Sequence, residues 1–184
     1  VDGVDIREMS QEILRAKIGL VPQKAVLFTG TIAENIRYGK KDATLEEIRR
    51  AADTAQATEF ITGMIDGFNS EIAQGGKNVS GGQRQRLSIA RALVRKPEIY
   101  IFDDSFSALD FKTEARLRRA LKKETAGACL LIVSQRVSTI MDADRIIVLD
   151  EGQIVGIGSH KELLESCRVY HEIISSQLSG EEIA

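Results

Sequence analysis

Asp103 and Asp104 close an apolar run, Ile99-Tyr100-Ile101-Phe102. A buried strand ending in two carboxylates places acids at the carboxyl edge of a parallel sheet, where ligands bind in such folds. One acid there can hold Mg2+, mostly through water and beside substrate phosphates. The second can orient or deprotonate an attacking water. In isolation the same pattern more often marks an Asp-rich turn after a strand. A second cluster is Ser80-Gly81-Gly82-Gln83. Two glycines at a helix start let backbone approach a ligand closely, and the free N–H groups there bind anions. A Gly-containing turn before a capped helix reads the same way. Three weaker strings complete the set: Ser107-Ala108-Leu109-Asp110 just past the acids, Val133-Ser134-Gln135-Arg136, and Val21-Pro22-Gln23. Their order and their placement at the ends of apolar runs make them informative together.

The elements that must position these residues follow from period and punctuation. Residues 18–21 (IGLV) read as a short buried strand stopped by Pro22. Residues 31 to 66 are helical in pattern, with Thr44 as an N-cap and Glu47 three residues later. A polar, Gly-rich stretch leads to a helix opening at Ser80 and ending near Pro97. Leu87, Ala90, Leu93 and Val94 form its apolar stripe, and Arg84, Arg91 and Arg95 fall off it. IYIF (99–102), ACLLIVS (128–134) and RIIVLD (145–150) are continuous apolar runs, as expected of parallel strands covered by helices on both faces. QIVGIG (153–158) is expected to pair back on RIIVLD through Glu151-Gly152. Helices near 160–166 and 168–178 follow, with a frayed SGEEIA tail.

Composition narrows the classes further. The 184 residues are 43% apolar and 28% charged, fitting one globular domain and too apolar for disorder. With 25 Lys+Arg against 27 Asp+Glu, no global field favours nucleic acid or an anionic membrane. No apolar run approaches the roughly 20 residues of a membrane-spanning helix, and the charged N-terminus has no signal-peptide pattern. Cys129 and Cys167 lack metal spacing; they fit a reducing cytosolic setting, and Cys129 reads as a small buried residue. The basic run 112–124 carries an apolar stripe of Leu117, Ala120 and Leu121 and no interleaved aromatics, so it reads as a solvated helix face.

The strings VPQKAVLFTGTIAENIRYG, VSGGQRQRLSIARALVRKPEIYIFDDSFSALD and VSQRVSTIMDADRIIVLDEGQIVGIGSHKELL, in this order, resemble the nucleotide-binding domain of ATP-binding-cassette (ABC) transporters. VLFTGTIAENI is most similar to the exporter branch, and the resemblance runs to about residue 178. It implies an α/β P-loop NTPase (RecA-like) fold with a parallel-sheet core (about 1–23 and 95–160), an inserted α-helical subdomain (about 24–94) and C-terminal helices (about 160–178). It implies ATP and Mg2+ as cofactors, a second nucleotide-binding domain and a transmembrane domain as partners, no nucleic acid, and a place at the cytoplasmic face of the cell membrane. By resemblance Gln23 is the Q-loop glutamine that contacts metal, and Ser80, Gly81, Gly82 and Gln83 are the signature that binds the γ-phosphate held by the opposite cassette. Asp103 is the Mg2+-linked Walker B aspartate. Ser107 to Asp110 are the D-loop at the dimer interface.

Departures from the family pattern fall on the chemistry. Asp104 stands where the family has a catalytic glutamate, and Gln135 where it has a switch histidine. Asp is one methylene shorter than Glu, and errors of about 1 Å cost on the order of 100-fold in in-line transfer. Gln135 cannot offer a titrating imidazole. Gln74 replaces a glutamate usual in exporters before the signature, which itself is intact. These changes imply the degenerate-site half of an asymmetric heterodimer, whose signature serves the partner's ATP site; a slow homodimer is the plainer alternative. No G-x-x-x-x-G-K-[ST] loop occurs in the chain. The family places that loop ahead of Gln23, which implies an N-terminally truncated domain lacking its Walker A portion, inactive alone, with unpaired strand edges and a tendency to self-associate. Rival functions are a non-transport ABC ATPase acting on DNA, which would carry long coiled coils absent from this chain, and a catalytically silent interaction module.

Overall fold

Ser10 accepts a hydrogen bond from the Ile13 amide and opens α1 (Gln11–Lys17) in the computed structural model of the protein, which describes residues 1–177. The expected tail fraying from Ser179, and the last residue of the expected 168–178 helix, lie outside the described residues. β1 (Ile18–Val21) follows and ends at Pro22 as expected. Next come β2 (Gly30–Thr31) and α2 (Ile32–Arg37), then α3 (Leu45–Thr54) and α4 (Thr58–Thr62). Both α2 and α3 start at reciprocal capping boxes, Thr31 with Glu34 and Thr44 with Glu47. The Lys40 ammonium lies 2.6 Å from Glu47. Its hydrogen bond, and then the one from the Thr44 amide, bring the Glu47 carboxyl down to about 2.

β3 (Glu71–Ile72), inside the polar, Gly-rich stretch, pairs antiparallel with β2. α5 (Gly81–Leu93) buries Leu87, Ala90, Leu93 and Val94 as its stripe predicts. The three arginines off that stripe each bind backbone carbonyls: Arg84 to Gly76 and Val79, Arg91 to Asn35 and Val26, Arg95 to Arg15. Arg91 also lies over the rings of Phe28 and Tyr38. Just past α2 the chain runs so close to α5 that a Cβ on Gly39 would overlap the Arg91 carbonyl oxygen.

β4 (Ile99–Asp103), α6 (Phe111–Glu124) and β5 (Cys129–Val133) complete this part. The sheet order is β1-β4-β5, all parallel, with Val21 opposite Phe102 and Phe102 opposite Ile132. One face, carrying Gly19, Val21, Tyr100 and Phe102, is buried. Among the described residues the expected burial of both faces is not seen: on the other face Leu20 is 57%, Leu131 47% and Val133 51% exposed. Cys129 shares that face and is exposed, contrary to its reading as a buried residue, because alternation along β5 points it the same way as Leu131 and Val133. Among the described residues β5 pairs on one side only. α6 buries Leu117 and Leu121 and leaves Lys112, Lys122 and Lys123 in solvent, as its pattern predicts.

The residues to Val133 form one compact unit and those from Ser134 a second. The second contains α7 (Val137–Ile140), β6 (Ile146–Asp150), β7 (Gln153–Gly158), α8 (His160–Ser166) and α9 (Arg168–Gln177). β6 and β7 form the expected hairpin; Glu151 (φ 46°) and Gly152 (φ 79°) make its turn in the left-handed region, which Gly152 adopts without strain. RIIVLD is therefore not a strand of the parallel sheet among the described residues. Ile146 and Val148 instead bury one face with Leu163, Cys167, Tyr170 and Ile174 of the two helices. Ile147, Leu149, Ile154 and Ile157 remain exposed. No helix among the described residues is long and apolar enough to cross a membrane.

Candidate functional site

The two acids stand at the end of β4, between the ends of its parallel neighbours β1 and β5. Val21 lies opposite Phe102 in the β1–β4 register, so two residues further along each chain Gln23 comes beside Asp104. The Gln23 amide Nε2 donates to Asp104 Oδ2 at 3.2 Å. Asp104 itself sits at φ 41°, a left-handed conformation unusual for a non-glycine residue. Its N–H donates to Val133 O at 2.9 Å and its carbonyl accepts from Ser107 Oγ at 2.8 Å. The backbone of this acid is thus held from β5 on one side and from its own downstream loop on the other. Asp103 precedes it at the exposed end of β4.

The loop after β4 is anchored by two apolar side chains and otherwise faces solvent. Phe106 stacks on Phe102 with ring centroids 5.4 Å apart, and Leu109 is buried; Ser107, Ala108 and Asp110 are exposed. Asp110 caps α6 by accepting from the Thr113 amide at 2.9 Å, and Thr113's hydrogen bonds hold its carboxyl below the usual carboxylate range. Ser105 Oγ is buried without a hydrogen-bond partner.

Ser80 to Gln83 meet this loop. Ser80 Oγ accepts from the Gln83 amide and Gln83 Oε1 accepts from the Ser80 amide, a capping box with glutamine at the third helical position. This leaves the N–H groups of Gly81 and Gly82 free of intrahelical partners. A Cβ on Gly82 would stand 3.1 Å from the Ala108 carbonyl oxygen, so the glycine is what lets the helix start close against the loop. Gln85, one turn in, is buried and donates through Nε2 to the Pro22 carbonyl at 3.2 Å. Gln85 was absent from the sequence candidates. Its only sequence signal is an amide on a helix whose neighbours at 87 to 90 are largely apolar.

One compact unit therefore brings together Gln23, Asp103, Asp104, Ser107 and Asp110, with Ser80 to Gln83 packed on the Ser107–Asp110 loop. Gln135 belongs to the second unit. Its carbonyl accepts from Gln177 Nε2 at 2.7 Å, and Gln177 Oε1 accepts from the Val137 amide at 3.0 Å. Gln177 was also missed by sequence reasoning, and no sequence signal marks it. The surface groove of about 550 Å3 lined by Glu46, Arg49, Arg50, Asp53, Thr58, Thr62 and Phe68 contains none of the candidate residues.

Chemically, the strand ends suit a hard cation that keeps most of its waters. Mg2+ takes one or two protein oxygens beside phosphates, and the Asp103 carboxylate and the Gln23 amide oxygen supply that kind of donor. No group of three or more His, Cys, Asp or Glu that could hold a metal alone occurs among the described residues. Phosphates would need donors beyond these, since the chain lacks the G-x-x-x-x-G-K-[ST] loop.

Comparison with known proteins gives a consistent answer. The family model described as "ABC transporter" matches residues 1–107. An uncharacterized ABC transporter ATP-binding protein of Mycobacterium tuberculosis is 48% identical over 180 residues, covering 96% of this chain and 31% of that protein. The beta-(1→2)glucan export ATP-binding/permease protein NdvA of Rhodopseudomonas palustris is 45% identical over 184 residues, 100% of this chain and 31% of its own length. The solved structure of a bacterial Atm1-family ABC exporter with ATP bound superposes with a TM-score of 0.92 at 39% identity, over 95% of this chain and 31% of that one. The chain thus spans about a third of the length of these relatives. The family model over more than half of the chain, and relatives this similar over nearly all of it, show that the chain belongs to the ABC transporter family, within its ATP-binding domain.

Proposed function

We propose that the chain serves an ABC exporter as an ATP-binding subunit, acting with a second cassette and a transmembrane domain at the cytoplasmic face of the membrane. The relatives named for export, and the exporter solved with ATP bound, support this reading. In it, Asp103 and Gln23 serve Mg2+, which when bound supplies charge neutralisation for the phosphates. Ser80 to Gln83 present N–H groups to the γ-phosphate held by the opposite cassette, while Ser107 and Asp110 line the contact between cassettes. Asp104 and Gln135 hold the places of the acid that orients water and of the switch residue. The partner is a non-identical cassette whose working ATP site is completed by this chain's intact signature, and this chain's own site turns over slowly.

The observation that carries the degenerate-site reading is Asp104 itself. Its backbone is held by Val133 and Ser107, so its short side chain cannot make up the missing methylene by a backbone shift. The test is Asp104→Glu combined with Gln135→His in the full-length transporter assembled with its partner, alongside an ATP-binding titration of the wild type. We expect ATP binding in both proteins and a rise in turnover of about 10- to 100-fold. ATP binding with no gain in turnover would remove the degenerate-site role and leave the cassette reading standing.

A further inference from the structure

We infer that Gln23 is a positioning residue for Asp104: its amide nitrogen holds and aims the shorter carboxylate, while its amide oxygen remains free for the metal. The inference rests on the cassette reading above and concerns how Asp104 retains any chemistry at all.

Three observations carry it. First, the backbone is fixed at Asp104 itself and at the residue just ahead of the exposed Gln23. The chain just ahead of Gln23 is tied to α5 through Gln85 Nε2 and the Pro22 carbonyl. Asp104 is tied at its N–H to Val133 and at its carbonyl to Ser107. A hydrogen bond between groups anchored in this way needs little ordering when it forms, so it can orient rather than merely follow. Second, the bond uses only one end of the amide. Gln23 Nε2 donates to Asp104 Oδ2 at 3.2 Å, which leaves Oε1, the atom a hard cation would take, unspent on Asp104. One side chain can therefore face metal and acid together, which two separate residues would otherwise have to do. Third, Asp104 keeps a left-handed backbone (φ 41°) that a non-glycine residue holds only when its surroundings impose it. That conformation fixes where its side chain leaves the main chain. With one methylene fewer than Glu, the carboxylate is placed by χ1 and χ2 alone, and Gln23 selects among those rotamers.

A glutamate in place of Asp104 would reach further and would not need the Gln23 amide in the same place. This difference separates a positioning role from simple metal ligation. Four full-length proteins, assembled with the partner and with any competing partner site silenced by an acid-to-amide substitution, make the test: wild type, Gln23→Ala, Asp104→Glu, and Asp104→Glu with Gln23→Ala. Single-turnover ATP hydrolysis is followed at saturating Mg2+, with ATP affinity measured on each. We expect Gln23→Ala to slow both proteins through the metal, and to slow the protein that retains Asp104 about tenfold more than the Asp104→Glu variant, with ATP affinity changed alike in the two backgrounds. Equal slowing in both backgrounds would overturn the inference, because a ligand acting only on the metal is blind to the acid beside it.

A second measurement does not depend on turnover. Thermal melting of the nucleotide-free full-length protein is compared for Gln23→Ala, Asp104→Ala and the pair. Non-additive shifts, with the double variant melting above the sum of the singles, are expected of a direct bond. Additive shifts overturn it. A wild type that binds no ATP sinks the cassette reading and this inference with it, whereas one that binds ATP but shows equal slowing sinks the inference alone.

Discussion

Ser105 hides its hydroxyl beside the two acids without a hydrogen-bond partner, wedged in sequence between Asp104 and the buried, stacked Phe106. A buried hydroxyl without a partner loses its hydration for nothing, a penalty of about 1–3 kcal/mol. Ser105→Ala should therefore leave stability unchanged or raise it by about 1 kcal/mol, read as the denaturation midpoint in urea; a clear loss would show that the hydroxyl has a partner after all. At this scale much of the chemistry was legible. The capping logic of Thr44 with Glu47 needs only residues three apart, and the acids after IYIF follow from a strand ending. The Gln23–Asp104 bond was not legible, because it joins residues 81 apart and exists only once β1 and β4 take their register. The same holds for Gln85, whose amide meets Pro22 across 63 residues.

Elements were legible by type and less so by neighbourhood. IGLV, IYIF and CLLIV each became strands, and QIVGIG folded back through Glu151-Gly152. A run such as RIIVLD, apolar on both sides, states neither which strand lies beside it nor that both faces will be covered; the hairpin turn settled the pairing locally, and Ile147 and Leu149 stayed exposed. α1 went unread because its seven residues are too short for a periodic stripe and bury none of their side chains. Contact between elements carries its own prediction at Gly39. The backbone there touches the Arg91 carbonyl so closely that Gly39→Ala must push α2 and α5 apart. Overpacking of this kind typically costs about 1–3 kcal/mol, and chemical denaturation should show it. Gly127, where a Cβ meets nothing within 4 Å but φ is 89°, is the control for backbone strain without steric contact.

The molecule as a whole presents two rows of apolar side chains to solvent. Leu20, Leu131 and Val133 line one face of the three-stranded sheet, and Ile147, Leu149, Ile154 and Ile157 one face of the hairpin. β5 adds an edge paired on one side only among the described residues. Each such apolar face, and an open strand edge, is by itself an association surface. The 184-residue chain alone should therefore self-associate at tens of micromolar, and Leu131→Lys together with Ile147→Lys should reduce it. Sedimentation velocity reads both, and a single monomeric boundary for the wild type would contradict the expectation.

α9 looks like an appendage, yet its last described residue reaches back to the loop that carries Gln135. α7 has no side-chain cap of its own. The Gln177 amide supplies one, accepting from the Val137 N–H while donating to the Gln135 carbonyl. A single side chain thus bonds the backbone on both sides of Arg136. The practical boundary of the functional domain then lies no earlier than residue 177: a stop codon placed after β7, or even one turn short of Gln177, would delete no candidate residue and still set Gln135 loose.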